Sequence, residues 1–331
     1  MTIHKSRIFF VIFFIVFILL FSTSCSNKHL TTVNLNEVTR SIFYAPQYVA
    51  MELGFFDQEH LEIKLTTAGG SDKTMTSILS SQAHIGLVGP ETCIYVYNEG
   101  RENCPIIFAQ ITKRDGSFIV GHSNSFKWDD LKGKSIIAGR KGGLPEMTLQ
   151  YLLKKNKIEL GKDIKYITNI QFNLMGTAFS SGIGDFVTLF EPTASIIQNE
   201  SQCNILKSIG LESGEIPYTC YCATKEYISQ NKDIIKGFTT AIYKGQKWIH
   251  SHSPEEIAQT IISYFPDTDI TLISKSVRNY LESDIWNSDP KLKEESFDFL
   301  QKVIMDAGEL KKLVKFDAIV DTSFADNIFE K

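Results

Sequence analysis

Three glutamates stand beside prolines where an apolar run gives way to a helical pattern: Glu91 after Pro90, Glu146 after Pro145, and Glu191 before Pro192. Glu191 occupies the N-cap or the residue preceding it, where Ser, Thr, Asp or Asn normally serves. A longer carboxylate at a strand's carboxyl end suits reaching into a cleft. Glu191 is therefore the leading ligand candidate, with its carboxylate expected to be solvated in the free protein. Glu91 and Glu146 fall in first helical turns, where negative charge also complements the helix dipole. A structural and a ligand role are both open for them. Gly69, Gly70, Ser71, Gly142 and Gly143 offer main-chain N–H groups at close approach, with plain turn chemistry as the alternative. Tyr44 ends an apolar run, where an aromatic either stacks on a planar ligand or packs into the core. Asn173 reads as an N-cap or a cleft donor.

Catalytic, metal and nucleotide patterns find little support. The stretch GRKGGLPEMT, residues 139–148, matches neither a phosphate-binding loop nor the dinucleotide fingerprint. None of the seven histidines accompanies a nucleophile signature such as Gly-x-Ser-x-Gly. His250 and His252 close a helix, where a cation suits the carbonyl end, and residues two apart on a helix do not converge on a metal. Apart from Cys25 there are five cysteines: Cys93, Cys104, Cys203, Cys220 and Cys222. Cys220 and Cys222 point to one face of a strand, but no Cys-x-x-Cys or histidine partner suggests zinc. Buried thiols are expected. No catalytic residue, metal or cofactor is assigned.

The amino terminus sets the compartment. Lys5 and Arg7 precede fourteen apolar residues, Ile8 to Phe21, then Ser22-Thr23-Ser24-Cys25. A charged start, a short apolar core and small residues make a secretory signal over residues 1–24. As a helix the apolar run would rise about 21 Å, short of the roughly 30 Å hydrocarbon layer. Cys25 resembles the lipidated cysteine of a bacterial lipobox, although Ser22 stands where an aliphatic residue belongs and Ser22-x-Ser24 also suits the ordinary signal peptidase. Either cleavage leaves the mature domain outside the cytoplasm, anchored to the membrane if Cys25 carries lipid. Cleavage removes Lys5 and Arg7 and no acid, moving the formal charge from −4 to −6. That acidity argues against a nucleic-acid partner.

The rest, 43% hydrophobic over the chain, has material for two lobes. Residues 25–36 read as a polar tether. Val38–Tyr44 reads as a strand, with a helix opened by Pro46 and closed by Gly54. Leu61, Ile63 and Leu65 alternate as a strand before Gly69-Gly70-Ser71 and a helix carrying Met75, Ile78 and Leu79. His84–Val88 and Phe186–Phe190 are further strands, each followed by a helix start. Strands alternating with helices give parallel sheets, whose ligands bind beyond the strands' carboxyl ends.

Several stretches carry a family resemblance: APQYVAMELGFFDQEHLEIKL, GGSDKTMTSILSSQAHIGLVGPE, LKGKSIIAGRKGGLPEMTLQYLLKKNKI, FSSGIGDFVTLFEPTA and PYTCYCATKEYISQNKDIIKGFTTAIYKGQKW. They resemble the solute-binding proteins of ATP-driven importers, in the NMT1/THI5-like group that includes binders of alkylsulfonates, taurine, nitrate and thiamine pyrimidine precursors. The resemblance implies an α/β, two-lobe periplasmic-binding-protein-like (type II) fold with two hinge crossings and a ligand cleft between the lobes. It also implies a permease and an ATPase as partners, and an acid in the loop of Glu191. A monomer is expected. On this basis residues 37–119 begin the first lobe, 120–221 form the second, and 222–331, mainly helical, return to the first. The crossings fall near Phe118–His122 and Tyr218–Ala223. An extracytoplasmic enzyme acting on a pyrimidine-like molecule in the same cleft is the second reading, and a purely structural surface lipoprotein is a third. The acids point to a nitrogen-bearing solute, with alkylsulfonate next.

Overall fold

Val33 and Leu35 alternate with Thr32, Asn34 and Asn36, a period of two that makes a strand with one buried face. In the computed structural model, which describes residues 30–329, this segment is β1 (Thr31–Glu37). It pairs in parallel with β2 (Leu61–Thr67) and with β3 (Ile85–Val88). The expected tether therefore ends early: residues 31–36 lie inside a sheet, and the strand expected at Val38–Tyr44 is displaced to 31–37. The polar residues of β1 disguise it, because Asn36 and Glu37 are themselves buried. Ser41 instead caps a short 3-10 turn, Ile42–Tyr44, accepting the Phe43 N–H at 3.2 Å. The expected signal segment 1–24 and Cys25 lie outside the described residues.

Residues from Thr31 on form one unit containing two five-stranded sheets. The first has the order β2-β1-β3-β10-β4, where β4 is Pro105–Thr112 and β10 is Thr219–Thr224. The second has the order β7-β6-β8-β5-β9, from Ile164–Ile167, Lys134–Ile137, Phe186–Phe190, Ser117–Gly121 and Asn204–Ser208. Each sheet has four strands running one way and one antiparallel insert, β10 in the first and β5 in the second. Every residue of β3 and of β8 is buried, as expected of strands covered on both faces. The expected α/β architecture is present.

The chain passes between the sheets through residues 113–116 and returns through 209–218. Those segments run side by side, with the Ile216 N–H on the Lys113 carbonyl at 2.9 Å and the Tyr218 N–H on the Thr112 carbonyl at 3.1 Å. Both passages lie just ahead of the expected ones, because Phe118–Gly121 and Thr219–Ala223 are already paired in sheets. Phe43 packs here, edge-on to Phe190 and Tyr218 at ring distances of 5.3 and 5.7 Å. Its ring lies so close to Gly116 that a Cβ there would stand 2.4 Å away.

Among helices of eight residues or more, five follow strand ends: α1 (Ala45–Glu52), α2 (Ser71–Leu79), α3 (Glu91–Asn98), α4 (Leu144–Lys155) and α5 (Thr193–Glu200). Four more, α6 (Lys232–Ile249), α7 (Pro254–Ile261), α8 (Ile270–Glu282) and α9 (Glu294–Asp306), make the carboxy-terminal part. Helix α6 seats on α1 through Gly245, where a Cβ would stand 2.3 Å from the Pro46 carbonyl. The Ser253–Glu256 capping box forms at the start of α7 as its spacing predicts. This part, expected to complete the first lobe, also reaches the second sheet's helices through α8 and α9. Lys275 on α8 bonds Gln198 on α5 at 2.8 Å, and Phe299 on α9 packs edge-on against Tyr151 on α4 at 5.4 Å.

Candidate solute-binding site

Three helix starts meet. Helix α2 begins after Gly69-Gly70, and the Ser71 hydroxyl accepts the Gly89 N–H at 3.3 Å, tying α2 to the turn that launches α3. Helix α4 begins after Gly142-Gly143 and comes from the second sheet. The Tyr95 hydroxyl of α3 donates to the Gly142 carbonyl at 3.3 Å, and Arg140 reaches Asp72 in the first turn of α2 at 3.2 Å. At this junction the Glu91 carboxyl folds back over Gly89, where a Cβ would stand 2.2 Å from Oε2. A side chain there would push the carboxyl aside.

Glu91 is 4% exposed. Burial pushes its carboxyl up to about 7, although its own N–H and the Leu144 N–H, the first of α4, pull it down. Its Oε2 is buried without a hydrogen-bond partner. Tyr44 lies nearby, its phenol pushed upward by burial and then by the charges of Glu37 and Glu91. Two further buried oxygens in or against this part of the first sheet lack partners, Asn36 Oδ1 and Thr74 Oγ1. Asn36 pairs with Gly86 across β1 and β3, and Thr74, one turn beyond Ser71, lies against that same glycine. Neither residue was singled out from the sequence. Asn36 sat in the supposed tether, and Thr74 falls within the amphipathic helix of Met75 and Ile78.

The other expected residues fall differently. Glu146 is buried, but its carboxylate accepts the Gly142 N–H at 3.2 Å and the Gln150 amide, so it ties its own helix start together. Glu191 is not solvated as expected; it is 1% exposed. Its Oε1 accepts from the Ser195 hydroxyl at 2.8 Å and the Asn279 amide at 2.6 Å, and its Oε2 from the Ser195 N–H at 3.0 Å and the Ser276 hydroxyl at 3.2 Å. Residues of α8, more than eighty positions away, supply two of these donors, which no local pattern reveals. Asn173 is exposed, and Gln171 rather than Asn173 is the N-cap of its short 3-10 turn. Tyr44 is 3% exposed and packs in the core beside Phe43.

Among the described residues the buried charged side chains are all acids: Glu37, Glu91, Asp115, Glu146 and Glu191, with no buried Lys, Arg or His. Four of the five carboxyls are engaged. Glu37 accepts from Gln47, Tyr48 and Thr67 and pairs with Arg40 at 3.3 Å. Asp115 accepts from Ser117 and Tyr218. Glu91 alone of the five keeps a buried oxygen free. Open grooves on the surface, such as one lined by Gln150, Tyr151 and Asp306, lie apart from this closed junction. The five cysteines are buried and free. His250 and His252 meet the carbonyls of Asn287 and Trp248, and no cluster of three potential metal ligands occurs among the described residues.

Comparison with known proteins places this geometry in context. A family model described as NMT1/THI5 like matches residues 42–257. The Bacillus subtilis (strain 168) protein YtlA, whose name describes a candidate binding protein, is 44% identical over 301 residues, 90% of each chain. A solved ligand-binding component of an ABC-type import system from Staphylococcus aureus, with zinc bound, superposes with a TM-score of 0.73 at 13% identity, covering 89% of this chain and 98% of that one. The alkanesulfonate-binding protein SsuA from Xanthomonas axonopodis pv. citri, bound to MOPS, gives 0.71 at 12% identity, covering 88% and 98%. At such identities the two structures speak for a shared fold.

Proposed function

This chain belongs to the NMT1/THI5-like family, and from that premise we propose that it is the extracytoplasmic solute-binding component of an ABC importer. It captures a small nitrogen-bearing organic solute, of the thiamine-pyrimidine-precursor type, and delivers it to a permease driven by an ATPase. Residues 37–119 and 222–331 serve as one lobe, with β1 extending it back to Thr31, and 120–221 as the other. Cys25 carries the lipid anchor; no helix among the described residues is long and apolar enough to cross a membrane. Release of Cys25→Ser into the medium, against membrane retention of the wild type, is the expected result in fractionated cells.

One observation carries the choice of solute. At the meeting of three helix starts, Glu91 Oε2 is a buried carboxylate oxygen without a partner, which when ionised accepts hydrogen bonds and donates none; Asn36 Oδ1 is a second free acceptor, and the Thr74 hydroxyl is free to donate or accept. An alkylsulfonate is the second reading, favoured by helix amino termini, which suit anions. Against it, Glu146 already takes the Gly142 N–H and Glu91 lies on the Leu144 N–H, so acids hold donors that a sulfonate would need. The enzyme reading has less support, since the relatives named above are binding proteins. Thermal-shift measurement with aminopyrimidines, taurine and simple alkylsulfonates tests the proposal. Amino-bearing compounds should raise the melting temperature, and a rise confined to alkylsulfonates would overturn the nitrogen reading.

A further inference from the structure

We infer that Glu91 selects the solute by charge: its free Oε2 accepts an N–H from an amino or cationic nitrogen, while the same carboxyl meets the Leu144 N–H of α4. Seating the solute and holding the junction shut then draw on one group. The inference rests on the solute-binding reading above.

Three features of the junction support it. First, α3 and α4 both direct their amino-terminal ends at this carboxyl, and such ends favour a negative charge. Glu91 supplies that charge from within the chain, so an anionic solute would place a second negative charge beside a buried carboxylate. Second, a buried unpaired charge is costly, and no buried Lys, Arg or His is available to neutralise it. Arg140, the cation at the rim, is already paired with Asp72, and both are half-exposed or more. Third, the carboxyl is fixed against Gly89, where no side chain could fit without displacing it.

The groups facing Glu91 do not compete for this role. They are Tyr44 ahead of α1, Cys93 and Tyr95 on α3 itself, Tyr218 at the end of the returning segment and Cys220 on β10, and each feels its charge. All five are pushed upward by burial and by neighbouring acids or thiols, and so stay neutral near pH 7. Asp115, bonded to Tyr218, is pushed up to about 6 by burial, and Glu37 acts on Tyr44. Glu146 and Glu309 lie around the start of α4, close enough to act on Tyr95.

The test is titration calorimetry of the mature protein, its Glu91→Gln and Glu91→Ala variants, with acetamidine, 4-aminopyrimidine and ethanesulfonate. Wild type should bind an amino-bearing probe, and Glu91→Gln should weaken that binding about ten- to a hundred-fold, the scale of one charge-assisted hydrogen bond. The same variant should bind ethanesulfonate no more weakly than wild type, so the preference between probes shifts towards the anion. Acetamidine keeps its charge across the range, so wild-type affinity for it should climb as pH rises through about 7 and then level; Glu91→Gln should lose that rise. If Glu91→Gln binds the amino-bearing probes as wild type does, the charge-selection role is overturned while the solute-binding reading stands. If no amino-bearing probe binds and ethanesulfonate does, the charge-selection role and the nitrogen-bearing choice of solute both fall, while the solute-binding reading stands. Glu91→Ala keeps the test decisive if the Gln amide repairs a contact, since it leaves no acceptor at all.

Discussion

Tyr218 donates its hydroxyl to Asp115 Oδ2 at 2.8 Å, so one buried hydrogen bond joins the segment leaving the first sheet to the segment returning to it. The Ser117 N–H and hydroxyl donate to the other oxygen at 2.7 and 2.6 Å. Burial nevertheless prevails and pushes Asp115 up to about 6. An acid raised in the folded state stabilises below its unfolded value, near 4, and that contribution is lost as pH rises through about 6. In urea unfolding, Asp115→Asn should therefore gain on wild type by roughly 2 kcal/mol between pH 4 and pH 7. A constant difference across that range would place Asp115 in solvent.

Glu191 should behave as a structural residue. Glu191→Gln turns an amide N–H towards donors that now point at carboxylate oxygens, and should cost about 1–3 kcal/mol. The melting temperature should fall by several degrees, while the further rise on adding solute is preserved. Unchanged melting with lost solute binding would return Glu191 to the ligand role that its sequence position suggests.

The five described cysteines should be silent to thiol reagents in the native protein. Cys93 and Cys222 neighbour one another, and the hydrogen bond between them, with burial, pushes the Cys93 thiol up; burial does the same for Cys220. Thiolate is the reactive form. Reaction with a chromogenic disulfide should await denaturant, and rapid native labelling of Cys93 or Cys220 would contradict the packing.

Closure of the two sheets over solute is read by probes on Lys73 of α2 and Gln150 of α4. The distance between them should shorten when solute is added to the free protein. Arg140→Ala should change affinity by no more than about five-fold, because an exposed pair contributes at most about 1 kcal/mol. Fixed probe distances at saturating solute would count against a closing receptor.

Much of this molecule is legible along the chain. Pro46 and Gly54 bracket α1, the Ser253–Glu256 spacing builds its capping box, and the apolar run Phe186–Phe190 becomes β8. These features depend on neighbours within a few residues, so local propensity suffices. The strand at Thr31–Glu37 is less legible, since only its pairing with β2 and β3 reveals why polar residues belong there.

The sequence by itself determined the alternation of strands and helices, the family, and the placing of glycines and acids at strand ends. Tertiary structure decided what each acid does. Glu91, Glu146 and Glu191 look alike in sequence, each beside a proline at a helix start. Glu191 is consumed by Ser276 and Asn279 from α8, Glu146 by the turn of its own helix, and Glu91 alone keeps an oxygen free. The physical reason is that a buried carboxylate's role depends on the donors within about 3 Å, and most of those come from parts of the chain far away in sequence.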